Sequence, residues 1–205
     1  MSSLWDKRKL ARVLGYLKGT VGRALLLRKL SMKCMVVAYV DAAYALHSDS
    51  KSHTGVVIYV GGTLVYVASR KQKCMSKSPT EAELIALTDN LGLVELFQEF
   101  IEFVTKKKTQ PPVVYQDCNA VVMLVTKGGG KLRTKHLRAR MHLGKEMVDE
   151  EGIKVVYKSA EGMEADGFSK PYNPAKHKPF AALIQGEDKA WQQVDAMQSG
   201  ERSMD

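Results

Sequence analysis

The sequence predicts an α/β protein in which a five-stranded mixed sheet is flanked by helices. Three apolar, β-rich runs come first with short connections, an order typical of antiparallel strands. Two further apolar runs then alternate with helical segments, an order typical of parallel βα units. The complete predicted order is β-β-β-α-β-α-α-β-α, with three antiparallel strands followed by two parallel ones.

Five segments have the composition of strands. β-branched and aromatic side chains fit a covered, pleated surface, and the sequence concentrates them in short runs. These runs are Cys34–Asp41, Val56–Val60, Leu64–Ala68, Val113–Gln116 and Ile153–Tyr157. Gly61-Gly62 separates the second run from the third, which predicts a hairpin with a primed turn.

The main helix is predicted to begin after Ser78. Ser78-Pro79-Thr80-Glu81 places a serine at the N-cap, a proline at the first helical position and a glutamate at the third. This pattern predicts a capping box in which Glu81 bonds back to the Ser78 amide. The helix should continue to about Val104 and be loosened at Gly92. Further helices are expected at Asn119–Thr126 and at Phe180–Ile184. The basic run Lys131–Arg140 is expected to lead into another helix that ends near Glu151.

A separate amphipathic helix precedes the predicted sheet. Residues 4–18 repeat Leu10, Val13, Leu14 and Leu17 at helical spacing. We therefore divide the chain into an N-terminal helix at 1–31, a domain at 32–172, and a C-terminal helix with a polar tail at 173–205.

Composition restricts the class of protein. The chain has 205 residues, 45% of them hydrophobic, which suits one domain with a real core. A formal net charge of +9 favours a polyanionic partner, nucleic acid first and an anionic membrane second. The three cysteines lack metal-ligand spacing, and neither a membrane span nor a signal-peptide pattern is evident. We therefore expect an intracellular protein without a membrane partner.

Four carboxylates are candidates for one shared site. Asp41 and Asp117 end apolar runs, and Asp166 follows the last predicted strand. On the main helix, Glu83 lies roughly 30° from the mean direction of the apolar stripe, whereas Glu81 lies roughly 130° away. Glu83 is therefore expected to face the sheet, while Glu81 serves the helix cap.

Clustered carboxylates repel one another and need a cation. Hard oxygen ligands favour Mg²⁺, or Mn²⁺, over zinc. Two such ions can stabilise the attacking and leaving oxygens of an in-line phosphoryl displacement. The recurrence of acids at strand ends favours this interpretation, although Asp41 taken alone is more simply explained as the start of a turn.

Basic residues adjoin these acids along the chain. They could contact a phosphate backbone or form solvated faces, and we favour the first alternative. For His136, a contact with a backbone or phosphate is favoured over catalysis. The candidates for nucleic-acid contact are Arg70, Lys71, Lys73, Asn119, Arg133, Thr134, Lys135, His136 and Arg138.

Several short motifs follow one another along the chain. They include Tyr39-Val40-Asp41-Ala42-Ala43-Tyr44, Ser78-Pro79-Thr80-Glu81-Ala82-Glu83-Leu84, Tyr115-Gln116-Asp117, Arg133-Thr134-Lys135-His136 and Ala165-Asp166-Gly167-Phe168-Ser169-Lys170-Pro171. In sequence and in order these motifs resemble the ribonuclease H domain of copia-type (Ty1/copia, pseudovirus) retrotransposon Pol polyproteins. The N-terminal helix, which ends Tyr16-Leu17-Lys18-Gly19-Thr20, looks like the tail of the connection region that follows reverse transcriptase.

The resemblance implies a ribonuclease H-like fold and a two-metal endoribonuclease that hydrolyses the RNA strand of RNA–DNA hybrids during reverse transcription. In that family the metal-binding quartet corresponds to Asp41, Glu83, Asp117 and Asp166. The resemblance also implies a reverse transcriptase domain in the same polyprotein, and a location in the cytoplasm or a virus-like particle, with the nucleus as another possibility.

One departure and two alternatives accompany this resemblance. Many ribonucleases H carry a histidine in the loop before the last acid, and residues 159–165 contain none. The main alternative function is a domesticated module that binds nucleic acid or protein without cleavage. The second alternative is a related nuclease of the same fold, such as an integrase or resolvase. The predicted hairpin and the motif around Glu83 favour ribonuclease H over this second alternative.

Overall fold

The computed structural model describes residues 4–27, 35–128 and 135–186. Its strands are β1 (Val36–Ala43), β2 (His53–Val60), β3 (Thr63–Lys71), β4 (Val113–Gln116) and β5 (Lys154–Tyr157). Its helices are α1 (Leu4–Gly19), α2 (Pro79–Thr105), α3 (Asn119–Lys127), α4 (Lys135–Asp149), α5 (Asp166–Ser169) and α6 (Pro174–Gln185), with a 3₁₀ turn at Ala160–Gly162.

The five strands form one sheet in the order β3-β2-β1-β4-β5. β1 and β3 each pair with β2 in antiparallel register, whereas β4 runs parallel to β1 and β5 runs parallel to β4. This arrangement confirms the predicted five-stranded mixed sheet. It also makes β1 the central strand, with an antiparallel neighbour on one side and a parallel neighbour on the other.

Helices cover both faces of the sheet. Alternate residues of β1, among them Val36 and Val40, pack with Leu87 and Leu91 of α2 in the larger core, to which α3 and α4 also contribute. The opposite face carries Tyr39 of β1, which packs with neighbouring side chains, α5 and α6 in a smaller core. The carboxyl end of β1 is therefore accessible to side chains from two separate helical layers.

The strands are longer than the sequence predicts. β1 continues past Asp41 to Ala43 because Ala43 still pairs with His53 of β2. The expectation that Asp41 ends its strand was therefore wrong by two residues, and the predicted start at Cys34 lies outside the described residues. β3 likewise extends to Lys71, three residues past the predicted end at Ala68, so Arg70 and Lys71 lie in a strand. Gly61 and Gly62 have φ values of 54° and 81°, which confirms the primed turn.

The cap of α2 differs from the predicted capping box in one bond. The Ser78 hydroxyl accepts a hydrogen bond from the Glu81 amide at 3.2 Å, as expected. The Glu81 carboxylate, however, accepts from the Lys77 amide at 2.7 Å, one residue outside the predicted partner Ser78. Glu81 nevertheless keeps a capping role at the helix entrance.

Two other helices depart from their predictions. Gly92 does not interrupt α2, because Leu91 and Val94 on either side of it are buried against the sheet. The terminal helix begins at Pro174, well before the predicted Phe180, because the Asn173 side chain caps it by accepting from the Lys176 amide at 2.9 Å. Packing in the first case and an unrecognised cap in the second overrode the sequence pattern.

The amphipathic pattern of α1 is not used for burial in this structure. The helix contains no buried residue, and its leucines are exposed. It lies near α6, where the rings of Tyr16 and His177 meet with centroids 5.4 Å apart. The predicted domain boundaries therefore stay a prediction.

Gly55 of β2 determines how closely α5 approaches the sheet. It pairs with Asp41 in the register of β1 and β2. A Cβ atom at Gly55 would lie 2.3 Å from the carbonyl oxygen of Ala165 and 2.6 Å from the amide nitrogen of Ser169. Only a glycine therefore allows the backbone of α5 to pack directly beside Asp41.

Substitution of Gly55 by alanine should push α5 away from the sheet. We expect the free energy of unfolding to fall by about 1–3 kcal/mol or more, as for other overpacked cores, as measured by urea denaturation. Gly92→Ala is the matched control, since a Cβ there meets nothing within 4 Å. That variant should be more stable than wild type by about 0.5–1 kcal/mol, because glycine disfavours a helix interior. A Gly55→Ala protein as stable as wild type would refute the close packing.

Candidate metal centre and nucleic-acid interface

Three carboxylates meet at one end of the sheet. β1 and β4 are parallel neighbours, so Asp41 near the end of β1 and Asp117 just after β4 lie at the same edge. Glu83 comes from the second turn of α2, which packs on this part of β1. One oxygen from each of the three carboxylates lies within 4.8 Å of the others, a spacing at which they could hold a metal ion.

Burial and mutual repulsion both disfavour ionisation of these carboxylates. Burial, together with the charges of Asp41 and Asp117, raises the pKa of Glu83 to about 9. Burial also raises the pKa of Asp41, although a hydrogen bond from Ser169 opposes it. The pKa of Asp117 is raised by burial and then by the charge of Asp41. A nearby cation would reverse this trend, because it favours the charged form of each group.

Glu83 has an oxygen that the protein leaves unsatisfied. Its Oε2 atom is buried and has no hydrogen-bond partner among the described residues. A buried carboxylate oxygen without a partner is costly in a folded protein. Its position beside two other carboxylates fits a ligand to a hard cation such as Mg²⁺ or Mn²⁺.

Asp166 lies on the other side of Asp41, where donors of the protein surround it. The Tyr172 hydroxyl donates to its Oδ2 atom at 2.9 Å, and the Lys170 ammonium bonds to its Oδ1 atom. The Ser169 hydroxyl donates to Oδ2 of Asp41. Burial lowers the pKa of Lys170, but the bond to Asp166 and the surrounding carboxylates outweigh it, so that the pKa is raised.

The structure thus brings the predicted acids together in two groups. Asp41, Glu83 and Asp117 form the close triad, while Asp166 is linked to Asp41 through Ser169 and Lys170. Sequence reasoning missed Ser169, Lys170 and Tyr172 as parts of the site. The spacing of four residues between Asp166 and Lys170 on a short helix was the available signal.

A basic pocket of about 440 Å³ shares no lining residue with the triad, but Thr54 in its lining pairs with Ala42, the residue after Asp41. Its lining includes the predicted contacts Arg70, Lys71 and Lys73, together with Arg140 of α4, which sequence reasoning did not select. The other residues that line it are Thr54, Gln72, Cys74, Asp89 and Asn90.

Hydrogen bonds fix the walls of this pocket relative to the triad. The Gln72 amide donates to Thr54 Oγ1 at 3.1 Å and to the carbonyl oxygen of Ala82, next to Glu83, at 2.9 Å. The Arg70 guanidinium donates to Asn90 Oδ1 at 2.9 Å. Through Gln72, the lining of the basic pocket is therefore hydrogen-bonded to the residue before Glu83.

The remaining predicted contacts are more dispersed. Lys135, His136 and Arg138 are exposed on α4, and Asn119 is exposed at the start of α3, two residues after Asp117. Arg133 and Thr134 lie outside the described residues. Lys71 is also paired with Asp49 at 2.6 Å. A role for each of these residues in binding stays a prediction.

Comparison with known proteins supplies the family. The chain is 28% identical over 176 residues to the retrovirus-related Pol polyprotein from transposon RE1 of Arabidopsis thaliana, an alignment that covers 85% of this chain. It is 33% identical over 159 residues to the corresponding polyprotein from transposon TNT 1-94 of Nicotiana tabacum, covering 77% of this chain. The chain is homologous to a segment of copia-type Pol polyproteins over most of its length. No family model matches it.

This copia-type segment corresponds to a small part of its relatives. It spans 12% of the length of each of these two polyproteins. Among solved structures, LC11-RNase H1 in complex with an RNA/DNA hybrid is 19% identical, with a TM-score of 0.48 over 65% of this chain and 92% of that one. The mixed sheet and the copia-type relatives agree with the ribonuclease H-like fold expected from the motifs. Within the described part of the chain, no helix has both the length and the apolar character that a bilayer crossing requires.

The raised pKa of Glu83 predicts a pH-dependent stability in the presence of a chelator. From about pH 4.5 to about pH 9, folded Glu83 holds a proton that the unfolded chain has released, so the free energy of unfolding should decrease as the pH rises. Glu83→Gln cannot titrate, and at pH 8 it should be more stable than wild type by more than about 1 kcal/mol.

Urea denaturation in EDTA at pH 4 and pH 8 measures this difference. The gain should disappear at pH 4, where wild-type Glu83 is protonated in both states. Glu81→Gln is the matched control, because its side chain lies at the helix cap outside the triad. Equal stability of Glu83→Gln and wild type at pH 8 would contradict the electrostatic description of the site.

Proposed function

We propose that the chain is a metal-dependent ribonuclease H that cleaves the RNA strand of RNA–DNA hybrids during retrotransposon reverse transcription. The observation that carries this proposal is the triad of buried Asp41, buried Glu83 and half-buried Asp117, whose ligand oxygens lie within 4.8 Å of one another. A pocket lined by basic residues lies nearby. Kinship with copia-type Pol polyproteins supports the same function in a retrotransposon.

The donor set of the site fits a hard divalent cation. Asp41, Glu83 and Asp117 would hold one ion, and Asp166 together with Asp41 would supply ligands to a second. When bound, Mg²⁺ or Mn²⁺ would stabilise the negative charge that develops on the phosphoryl oxygens. The unsatisfied Oε2 atom of Glu83 supports this assignment most directly.

The side chains of the protein would bring a phosphate backbone to these acids. A site made of carboxylates repels phosphate, so binding requires positive charge nearby. Arg70 and Lys73 of the basic pocket supply that charge, whereas the Arg140 guanidinium is paired with Asp89 in the same lining. Since Gln72 bonds to the residue before Glu83, the pocket holds its position relative to the triad. We infer that the pocket aligns one strand while the acids act on the other.

The polyprotein context defines the proposed partners. The substrate would be an RNA–DNA hybrid, and a reverse transcriptase domain on the same polyprotein would deliver it. The substrate preference rests on the motif resemblance and the Pol relatives, because the acids alone serve many phosphoryl-transfer enzymes equally well.

A cleavage assay on a labelled RNA–DNA hybrid separates Glu83 from Glu81. Glu83→Gln keeps the shape of the side chain but removes a charged ligand, so we expect cleavage to fall at least about 100-fold. Glu81→Gln can still accept the hydrogen bond from the Lys77 amide and should retain near wild-type activity. Wild-type cleavage should require Mg²⁺ or Mn²⁺ and stop in EDTA. Equal losses in the two variants would refute the assignment of Glu83.

The same assay distinguishes an enzyme from a binding module. Wild-type protein that binds the hybrid with either metal present and does not cleave it would favour the domesticated module over the nuclease.

Hybrid binding tests the role of the basic pocket. Lys73→Glu should weaken binding to an RNA–DNA hybrid and reduce the slope of log K against log salt concentration by about 1 or more, because one phosphate contact is lost. Lys107→Glu is the control: it lies beyond the far end of α2, roughly 35 Å from Glu83 by helical rise. Fluorescence anisotropy at several salt concentrations measures both. Identical salt slopes in wild type and Lys73→Glu would make the pocket wall a solvated surface.

A further inference from the structure

The acidic site is divided into two halves by its hydrogen-bond partners. In the triad half, Glu83 Oε2 is buried and has no hydrogen-bond partner among residues 4–27, 35–128 and 135–186. In the other half, protein donors engage both oxygens of Asp166: Lys170 at Oδ1 and Tyr172 at Oδ2. Lys170 also lies 3.9 Å from Oδ2 of Asp41. The ammonium group of Lys170 is therefore shared between two carboxylates of the site.

Local structure explains why Lys170 reaches both acids. Asp166 begins α5 and Lys170 follows its last residue, so the two side chains are four positions apart on one short helix. Because α5 packs directly on Gly55, opposite Asp41 in the register, the same lysine also approaches Asp41.

Lys170 is much more exposed to solvent than the two carboxylates with which it pairs. The Asp41 and Asp166 side chains are 2% and 11% exposed, whereas the Lys170 side chain is 46% exposed. The carboxylates are held inside the fold, while the long lysine chain has solvent beside it. Lys170 can therefore leave the acids without disturbing the core.

We propose that Lys170 is an internal cation that pairs Asp41 with Asp166 in the free protein and gives way when a second divalent ion binds there. This inference rests on the proposed function of the site. The triad half then takes the first ion while Lys170 remains in place. The second ion enters together with the nucleic acid, whose phosphate offers the displaced ammonium another anionic partner.

The Lys170 ammonium and a second divalent ion cannot be bound together, because both need the same oxygens of Asp41 and Asp166. A divalent ion between Asp41 and Asp166 would need the oxygens that Lys170 now contacts, and like charges within about 4 Å repel strongly where water is scarce. Lysine suits this exchange because its ammonium is a compact point charge on a flexible stem. A simple surface ion pair is the contrasting explanation; such pairs contribute little and would leave metal binding unchanged.

Manganese binding to the whole chain, followed by electron paramagnetic resonance of the free ion, tests the proposal. Wild type should bind one Mn²⁺. Lys170→Met should bind two in the same concentration range, because its second site should be at least about tenfold tighter than any second site of wild type. Lys170→Arg should behave as wild type because it keeps the charge. Lys154→Met is the control: Lys154 begins β5, at the end of the parallel strands opposite the acids, and the substitution should change nothing.

A hybrid with 2′-O-methyl RNA, which resists cleavage, provides the second arm. It should raise wild type from one bound ion to two and leave Lys170→Met at two. Equal ion numbers and affinities for wild type and Lys170→Met would overturn the proposal, as would a wild type that binds two ions without hybrid.

Asp117→Asn separates this failure from failure of the proposed function. It should lose the first ion. If it binds Mn²⁺ as wild type does, or if wild type binds none, the metal centre itself is refuted. If only the comparison of wild type with Lys170→Met fails, the centre stands and Lys170 is a plain ion pair. Lys170→Gln repeats the key comparison should the methionine variant fold poorly.

Discussion

Buried carboxylates crowd one end of the sheet, and the protein compensates their charge only in part. Asp41 is 1% exposed and Glu83 is 8% exposed. In addition to burial, the charge of Asp41 raises the pKa of both Glu83 and Asp117. Burial of such groups costs stability unless a hydrogen bond or an opposite charge compensates. Ser169 and Lys170 compensate on one side of Asp41, whereas Glu83 keeps an unsatisfied oxygen on the other. Local violations of the ordinary rules of packing are typical of functional sites.

The site is built where two helical layers meet the end of one central strand. α2, on one face of β1, contributes Glu83, and α5, on the opposite face, contributes Asp166. The approach of α5 depends on Gly55, where any side chain would collide with its backbone. The geometry of the acids is therefore a property of the packed layers, and a change in either layer should alter the distances among ligands.

A second polar cluster holds the segment that leads to Asp166. Glu164 is 6% exposed and accepts a hydrogen bond from the Tyr59 hydroxyl, in the middle of the smaller core. Burial raises the pKa of Glu164, and the bond from Tyr59 opposes that rise. The Lys158 ammonium lies 4.9 Å from the centre of the Tyr115 ring on the same face. These contacts attach both ends of residues 158–165 to the sheet, so the segment without a histidine is anchored by other polar groups.

Local periodicity and turn chemistry in the sequence predict the order of the elements along the chain and the phase of α2. The sequence therefore separated Glu83 from Glu81 before any contact was known. Tertiary structure decided what local patterns do not encode: the extension of β1 past Asp41, the pocket that joins Arg140 to β3, and the pairing of Lys170 with two acids. Each of these depends on residues far apart in the chain, or on how two layers pack, and periodicity carries no information about such distances.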